Sequence, residues 1–232
     1  MIDNIYNNYK NIENEIKGLK RKEESLNSNN IKILCVSKTK TYEEMLVLKD
    51  NGINFFGENY VQEIVKKYEI DNTLKFHMIG HLQTNKVKYI IDKVNLIESV
   101  DSIKLAEVIQ KEAEKRNIIS NILIQVNLFC EDTKYGILLE DLEDMIKSIS
   151  RLKNINICGI MTSSLYTTNP EENRMYFRKL KEKFDMLKDK YNNDENINLS
   201  ILSMGMSNDY KIAIEEGATE VRLGTLIFGE RH

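Results

Sequence analysis

Eight short apolar runs alternate along this chain with stretches whose apolar residues recur every three or four positions. The runs are Ile31–Ser37, Phe55–Glu58, Phe76–Ile79, Leu96–Val100, Ile122–Asn127, Ile155–Met161, Leu199–Met204 and Glu220–Phe228. Helical patterns between them include Tyr42–Asp50, Ser102–Arg116, Leu139–Ser150 and Glu171–Lys190. Short apolar runs that alternate with amphipathic helices are typical of parallel strands covered by helices. The chain is therefore predicted to adopt an α/β fold.

Eight such units predict a closed (β/α)8 TIM-type barrel, and an open doubly wound sheet is the competing layout. No GxGxxG follows the first run, which disfavours the open sheet. The 232 residues suit one barrel and contain no linker, so a single domain over 1–232 is expected. Only four residues follow Phe228, which leaves no room for an eighth helix. The N-terminal segment 1–30, a helix over Ile2–Glu24 and a polar loop, is expected to complete the outer ring, with the barrel over 31–232.

Composition argues against several classes of protein. The formal net charge of −3, from 33 basic and 36 acidic residues, disfavours a dedicated nucleic-acid binder. Three His and three Cys form no spaced ligand pair, so no metal is expected. The N-terminus lacks the apolar block of a signal peptide, and no run reaches the roughly 18 apolar residues of a membrane-spanning helix. A cytoplasmic protein without membrane association is expected.

Polar residues follow the predicted strands, and active sites of such barrels lie at the carboxyl ends of the strands. Lys38 comes directly after the apolar run Ile31–Ser37. Partial desolvation there would lower the pKa of its ammonium group toward the nucleophilic range, which suits a Schiff base with an aldehyde. An ordinary lysine at the barrel rim, with its charge in water, is the alternative interpretation.

The segment Leu202–Tyr210 is the second candidate, because a strand there leads into a Gly-containing turn in which Ser207 is predicted to cap a helix. Gly224 and Thr225, predicted to lie within the eighth strand, would neighbour this turn and complete a phosphate site, although an ordinary capped turn fits as well. Arg222 stands in the same apolar strand and needs an acceptor. An imine-forming lysine, a phosphate site and an inward arginine together indicate pyridoxal phosphate.

Six segments resemble the pyridoxal phosphate homeostasis proteins, the YggS/PROSC family, over nearly the whole chain from Val36 to Glu230. They are Val36-Ser-Lys-Thr-Lys40, Gly57-Glu-Asn-Tyr-Val-Gln-Glu63, His77-Met-Ile-Gly-His-Leu-Gln-Thr-Asn-Lys86, Gln125-Val-Asn127, Leu202-Ser-Met-Gly-Met-Ser207 and Val221-Arg-Leu-Gly-Thr225 with Ile227-Phe-Gly-Glu230. The resemblance implies a barrel like the N-terminal domain of alanine racemase.

The same resemblance implies the roles of the site residues. Pyridoxal 5'-phosphate would be held as a Schiff base (an aldimine) on Lys38, with Arg222 facing the pyridine nitrogen. The phosphate would be surrounded by Ser203, Ser207, Gly224 and Thr225. Asn59 would lie near the ring, and His77 is expected to border the pocket or to fill the core.

Two functions fit this site. The first is a non-catalytic carrier that buffers pyridoxal phosphate and transiently supplies apo-enzymes, and the second is a small amino-acid racemase. Racemisation by two bases needs a second acid/base group on the opposite ring face. In alanine racemase a tyrosine on an additional C-terminal domain of the partner subunit supplies this group, and the chain, which ends at His232, is expected to lack such a domain. None of Tyr60, Tyr135 or Tyr166 is assignable to that place. A monomeric carrier without robust catalysis is therefore preferred. The roles of His81 and Lys134 are left open.

Overall fold

The computed structural model describes residues 4–19, 31–129, 135–164 and 167–230. Eight strands in this part of the chain pair in parallel and in chain order, and the last pairs with the first. They are β1 (Lys32–Val36), β2 (Phe55–Glu58), β3 (Lys75–Met78), β4 (Val94–Val100), β5 (Ser120–Val126), β6 (Ile155–Thr162), β7 (Ile197–Met206) and β8 (Glu220–Leu223). The predicted closed (β/α)8 barrel is confirmed.

Helices cover the outside of this barrel. They are α1 (Ile5–Gly18), α2 (Tyr42–Lys49), α3 (Val61–Ile70), α4 (Val87–Ile90), α5 (Ile103–Lys115), α6 (Leu142–Ile149), α7 (Arg174–Lys190), α8 (Tyr210–Glu215) and α9 (Thr225–Phe228). A turn of 3-10 helix precedes α4 at Thr84–Lys86, and another precedes α7 at Pro170–Asn173. Proline at the first position of the second turn leaves no backbone donor unpaired there.

Helix α1 closes the outer ring, as its apolar stripe predicts. Ile5, Ile12 and Ile16 are buried on one side of it, and the helix packs against both α9 and α2. The Asn8 side-chain amide donates a hydrogen bond to the Ile227 carbonyl oxygen at 3.0 Å. The end of the predicted helix and the loop after it, residues 20–30, lie outside the described residues.

Two local predictions at the carboxyl ends of the strands are wrong. Strand β8 ends at Leu223, so Gly224 precedes α9 and does not lie within the strand. Residues 225–228 are as apolar as a buried strand, which is why the sequence pattern did not separate them. Ser207 does not cap α8, since Asp209 occupies that position and its carboxylate accepts a hydrogen bond from the Met206 amide at 2.8 Å.

The main core lies between the outer face of the barrel and the helices, where Phe56, Phe76 and Phe177 are fully buried. A separate apolar cluster is formed by Leu96, Leu123 and Met161. Met161 pairs with Ser203 across β6 and β7, so this cluster shares the barrel interior with polar residues. None of the helices in the described ranges has both the length and the unbroken apolar character that crossing a bilayer requires.

Candidate functional site

A cavity of about 570 Å³ opens at the carboxyl ends of the strands, a size that suits a small-molecule ligand. The side chains and backbone of six residues predicted for the site line it: Lys38, Asn59, Ser207, Arg222, Gly224 and Thr225. Six further residues line it without having been assigned a role from the sequence: Val36, Ile79, Ser163, Met206, Asn208 and Leu226, of which Met206 and Asn208 belong to the candidate segment Leu202–Tyr210. Their place near the ends of strands is the one signal that could have found them.

Lys38 lies two residues beyond the end of β1, in a turn. Its side chain is half-buried and reaches the cavity. The next residue, Thr39, has a φ of 65°, a left-handed conformation that is uncommon for a β-branched residue. Lys40 turns away from the cavity, since its ammonium group lies 3.3 Å from the Phe228 carbonyl oxygen and 3.4 Å from a Glu44 carboxylate oxygen. Lys38 therefore lines the cavity, and Lys40 does not.

Arg222 is buried at the base of the cavity, and two hydrogen bonds fix its guanidinium group. Its Nη1 donates to the Ser203 hydroxyl at 2.7 Å, and its Nη2 donates to the Thr162 carbonyl oxygen at 2.6 Å. A buried guanidinium group held in this way presents fixed donors and a permanent positive charge. It is suited to a ligand atom that accepts a hydrogen bond.

Ser203 lies below the cavity and does not line it, so the structure does not place it with the expected phosphate residues. Strand β7 continues to Met206, which is level with Arg222, whereas Ser203 is level with Glu220. The Ser203 hydroxyl is therefore one layer deeper in the barrel. It lies 2.8 Å from Glu98 Oε2 and 3.1 Å from Glu220 Oε1, and it connects these carboxylates to Arg222.

His77 belongs to the same buried layer and does not border the cavity. Its Nδ1 lies 2.6 Å from Glu98 Oε1, and its Nε2 lies 3.0 Å from the ammonium group of Lys32. Because an ammonium group only donates, Nε2 is the acceptor and Nδ1 carries the proton that is donated to Glu98. The second possibility for His77, a residue that fills the core, is the one that the structure shows.

The pKa values of the two acids at the centre of this layer, Glu98 and Glu220, are shifted in opposite directions. Burial and the nearby Glu98 charge raise the pKa of Glu220. Burial alone would raise the pKa of Glu98 too, but its hydrogen bond with His77 and the charge of Arg222 hold that pKa below its usual range. His77, Glu98 and Glu220 offer ligand atoms within 4.8 Å of one another, close enough for a metal ion. The Lys32 ammonium group lies 3.2 Å from Glu220 Oε2 and supplies the positive charge that a metal ion would bring to these carboxylates.

Asn59 contributes an amide to the cavity at the end of β2, and its Oδ1 is buried without a hydrogen-bond partner. Buried amide oxygens of this kind are rare unless a ligand or water pairs with them. The backbone of Asn59 is packed tightly against Gly80, where an added Cβ would lie 2.3 Å from the Asn59 carbonyl oxygen. Glycine at position 80 therefore sets the position of this wall.

The opposite edge of the cavity is formed by the end of β7 and the turn before α9, which bring together Ser207, Gly224 and Thr225. Gly205 has a φ of 92°, and an added Cβ would lie 2.5 Å from the Cβ of Ala213. A larger residue at 205 would push β7 away from α8, so this glycine allows the turn that places Ser207 at the cavity. Hydroxyl and amide groups gathered at such an edge are typical of phosphate sites.

The remaining polar candidates lie away from this cavity. His81 stacks on Tyr135 with ring centroids 3.7 Å apart, and its Nδ1 lies 3.1 Å from Asp101 Oδ2. Tyr60 and Tyr135 are more than half exposed, and neither lines the cavity. Tyr166 and Lys134 lie outside the described residues.

Comparison with known proteins identifies the family. The model of the alanine racemase N-terminal domain matches residues 3–232. A pyridoxal phosphate homeostasis protein of Aquifex aeolicus is 48% identical over 86% of this chain and 87% of its own. The chain belongs to the pyridoxal phosphate homeostasis protein family. A second member, from Haemophilus influenzae, is 37% identical over 91% of this chain and 90% of its own.

Solved structures agree with this family. PipY of Synechococcus elongatus, whose structure has pyridoxal phosphate bound, is 27% identical with a TM-score of 0.83 and covers 97% of this chain and 100% of its own. Alanine racemase of Clostridium difficile is 20% identical with a TM-score of 0.75, over 99% of this chain and 60% of the racemase. The likeness to the racemase shows the barrel fold alone.

Proposed function

We propose that this chain binds pyridoxal 5'-phosphate through Lys38 and acts in intracellular vitamin B6 homeostasis as a non-catalytic carrier. The observation that carries the proposal is a cavity that brings together a lysine, a fixed guanidinium group and a hydroxyl-rich edge. The family and the cofactor-bound relative support the same choice of ligand. We further propose that the protein works as a cytoplasmic monomer.

The residues fit this cofactor group by group. When bound, pyridoxal phosphate supplies an aldehyde that condenses with a primary amine. Lys38 would offer that amine, and Ser207, Gly224 and Thr225, which line the same cavity, would hold the phosphate. The unpartnered Oδ1 of Asn59 marks a wall where a polar ligand atom would satisfy the amide.

Arg222 favours a carrier over an enzyme. Guanidinium groups donate hydrogen bonds and do not give up their protons in proteins. Arg222 would therefore donate a hydrogen bond to the pyridine nitrogen without protonating it, and a ring held in that way would withdraw electrons too weakly to favour transamination or racemisation. Tyr60 and Tyr135, the two described tyrosines considered as a second base, lie outside the cavity.

Titration with pyridoxal phosphate tests the binding site. The wild-type protein is expected to gain a visible absorbance band, and Lys38→Ala is expected to abolish it. Lys40→Ala is the matched control, because Lys40 follows in the same segment but contacts Glu44 and Phe228 instead. Loss of the band in the control but not in Lys38→Ala would refute the assignment.

A second experiment separates a carrier from a racemase. The loaded protein is mixed with a PLP-dependent apo-enzyme, and the cofactor transfer rate is measured beside the racemisation rate of alanine and other amino acids. A carrier transfers cofactor within minutes and racemises no faster than free pyridoxal phosphate. Racemisation with turnover typical of enzymes, on the order of 1 s⁻¹ or faster, would favour the racemase instead.

A further inference from the structure

A buried lysine on the outside of the barrel holds the turn that carries Lys38. Lys67 of α3 is only 5% exposed. Its ammonium group donates to the Ser37 carbonyl oxygen at 2.9 Å, to Glu58 Oε1 at 2.6 Å and to Glu63 Oε2 at 2.9 Å. Three acceptors use all three protons of the group. We refer to Glu58, Glu63 and Lys67 as the Lys67 cluster.

The Lys67 cluster contacts the residue on each side of Lys38. The Ser37 hydroxyl donates to Glu58 Oε1 at 2.5 Å, so both the hydroxyl and the carbonyl of Ser37 are bound. The Thr39 amide donates to Glu63 Oε2 at 2.9 Å. The Lys38 backbone is thereby fixed at both ends by groups on β2 and α3.

The hydrogen bonds of the Lys67 cluster offset the free-energy cost of an unfavourable backbone conformation at Thr39. Thr39 has a φ of 65°, which β-branched residues rarely adopt unless surrounding contacts hold them there. The charge-assisted bond from its amide to Glu63 is such a contact. Without it, the turn would relax toward ordinary φ values, and the Lys38 Cα–Cβ bond would point in a new direction.

We propose that the Lys67 cluster consists of positioning residues that hold residues 37–39 so that the Lys38 amine points into the cavity. The inference rests on the proposed function. It deepens that function by assigning a role to charged residues that do not line the cavity. The step that this geometry serves is condensation of the Lys38 amine with an aldehyde carbon, which forms one C=N bond and releases the carbonyl oxygen as water.

The test compares Lys67→Met with Lys66→Met in the full-length protein. Lys66 is the preceding residue on the same helix and is exposed, so the same substitution there controls for loss of one charge. Two probes are used: pyridoxal phosphate, for the rate of covalent capture by borohydride trapping, and pyridoxine phosphate, which lacks the aldehyde, for binding without capture. Thermal unfolding of each variant is recorded in parallel.

Lys67→Met is expected to slow covalent capture on the order of ten- to a hundredfold, since a reacting group misplaced by about 1 Å lowers the reaction rate by up to about a hundredfold. Its affinity for pyridoxine phosphate is expected to change less than about threefold, because the phosphate edge is untouched. Lys66→Met is expected to change neither quantity. Glu63→Ala removes the acceptor of the Thr39 amide while leaving Glu58 for Lys67, and it is expected to slow capture in the same way.

If Lys67→Met does not fold, Glu63→Ala is used in its place, because the Glu63 side chain is a quarter exposed and its removal disturbs the core less. Unchanged capture in the folded variants would overturn the inference. Equal losses of capture and of pyridoxine phosphate binding would also overturn it, because they would show general damage to the cavity. Failure of the wild-type protein to bind either probe would instead overturn the proposed function, and the inference with it.

Discussion

Replacing Ser203 by alanine removes the hydroxyl that joins Arg222 to the buried acids Glu98 and Glu220. This hydroxyl accepts one hydrogen bond from a guanidinium group and donates one to a carboxylate. Each hydrogen bond to a charged group contributes about 1.5–3 kcal/mol when its loss leaves a buried partner. Two such bonds give an upper range of about 3–6 kcal/mol.

The expected loss is near the lower end of that range, because the partners keep other contacts. Arg222 retains the Thr162 carbonyl oxygen, and Glu98 retains His77. We therefore expect Ser203→Ala to lower the free energy of unfolding by about 3 kcal/mol. Urea unfolding of the cofactor-free protein, followed by circular dichroism at pH 7, measures this loss.

Ser200→Ala is the matched control on the same strand. Ser200 is exposed, and its hydroxyl makes only a 3.3 Å contact with the Asn198 carbonyl oxygen. This control is expected to change the free energy of unfolding by less than about 0.5 kcal/mol. A loss in Ser203→Ala no larger than that of the control would show that the hydroxyl does not connect the buried charges.

Three further predictions concern the wall of the cavity, the acid under the lysine turn and the N-terminal helix. An alanine Cβ at position 80 would lie 2.3 Å from the Asn59 carbonyl oxygen, so Gly80→Ala is expected to displace the Asn59 backbone. Binding of pyridoxal phosphate is expected to weaken at least about tenfold, and an unchanged affinity in an absorbance titration would contradict this. Burial raises the pKa of Glu58 to about 7 from 4.5, so the folded protein binds the extra proton between these values and its stability falls as pH rises through them. Glu58→Gln should therefore reduce the fall in unfolding free energy between pH 5 and 7.5 by roughly 2–3 kcal/mol, and an unchanged slope in urea titrations would refute it. Ile16→Ala is expected to lower the free energy of unfolding by about 2–4 kcal/mol, whereas Ile119→Ala, 66% exposed, should cost under about 0.5 kcal/mol; equal effects would show that α1 does not close the ring.

The barrel could be predicted from the sequence because its signal is local. Each strand is an apolar run, each helix has its own periodicity, and parallel strands joined by helices leave few arrangements. The lysine, the arginine and the turn at Ser207 could be placed at one cavity for the same reason. Residues that follow strands of a parallel barrel gather at one face.

The position of a residue along its strand was harder to predict. The apolar run Leu199–Met204 predicts a strand that ends just after Ser203, but β7 continues to Met206 through Gly205. That extension places Ser203 beneath the cavity, level with Glu220. Because β7 is a few residues longer than predicted, Ser203 contacts Arg222 from below and does not face the cavity.

The charged contacts inside the barrel, and those between α3 and the turn after β1, could not be predicted from the sequence. Ser203 and Glu98 are 105 positions apart, and Lys67 is 30 positions from Ser37. Nothing local distinguishes Lys67 from the exposed Lys66 beside it, except its place on the inner side of α3. Such pairs depend on barrel closure and helix orientation, which only the folded structure specifies.

Lys38 is the residue proposed to capture pyridoxal phosphate, and borohydride reduction of the loaded protein followed by peptide mass mapping identifies the residue that does so. One reduced pyridoxyl group is expected, on the peptide that contains Lys38, and none is expected in Lys38→Ala. A label on Lys40, on Lys67 or spread over surface lysines would show that another residue captures the cofactor.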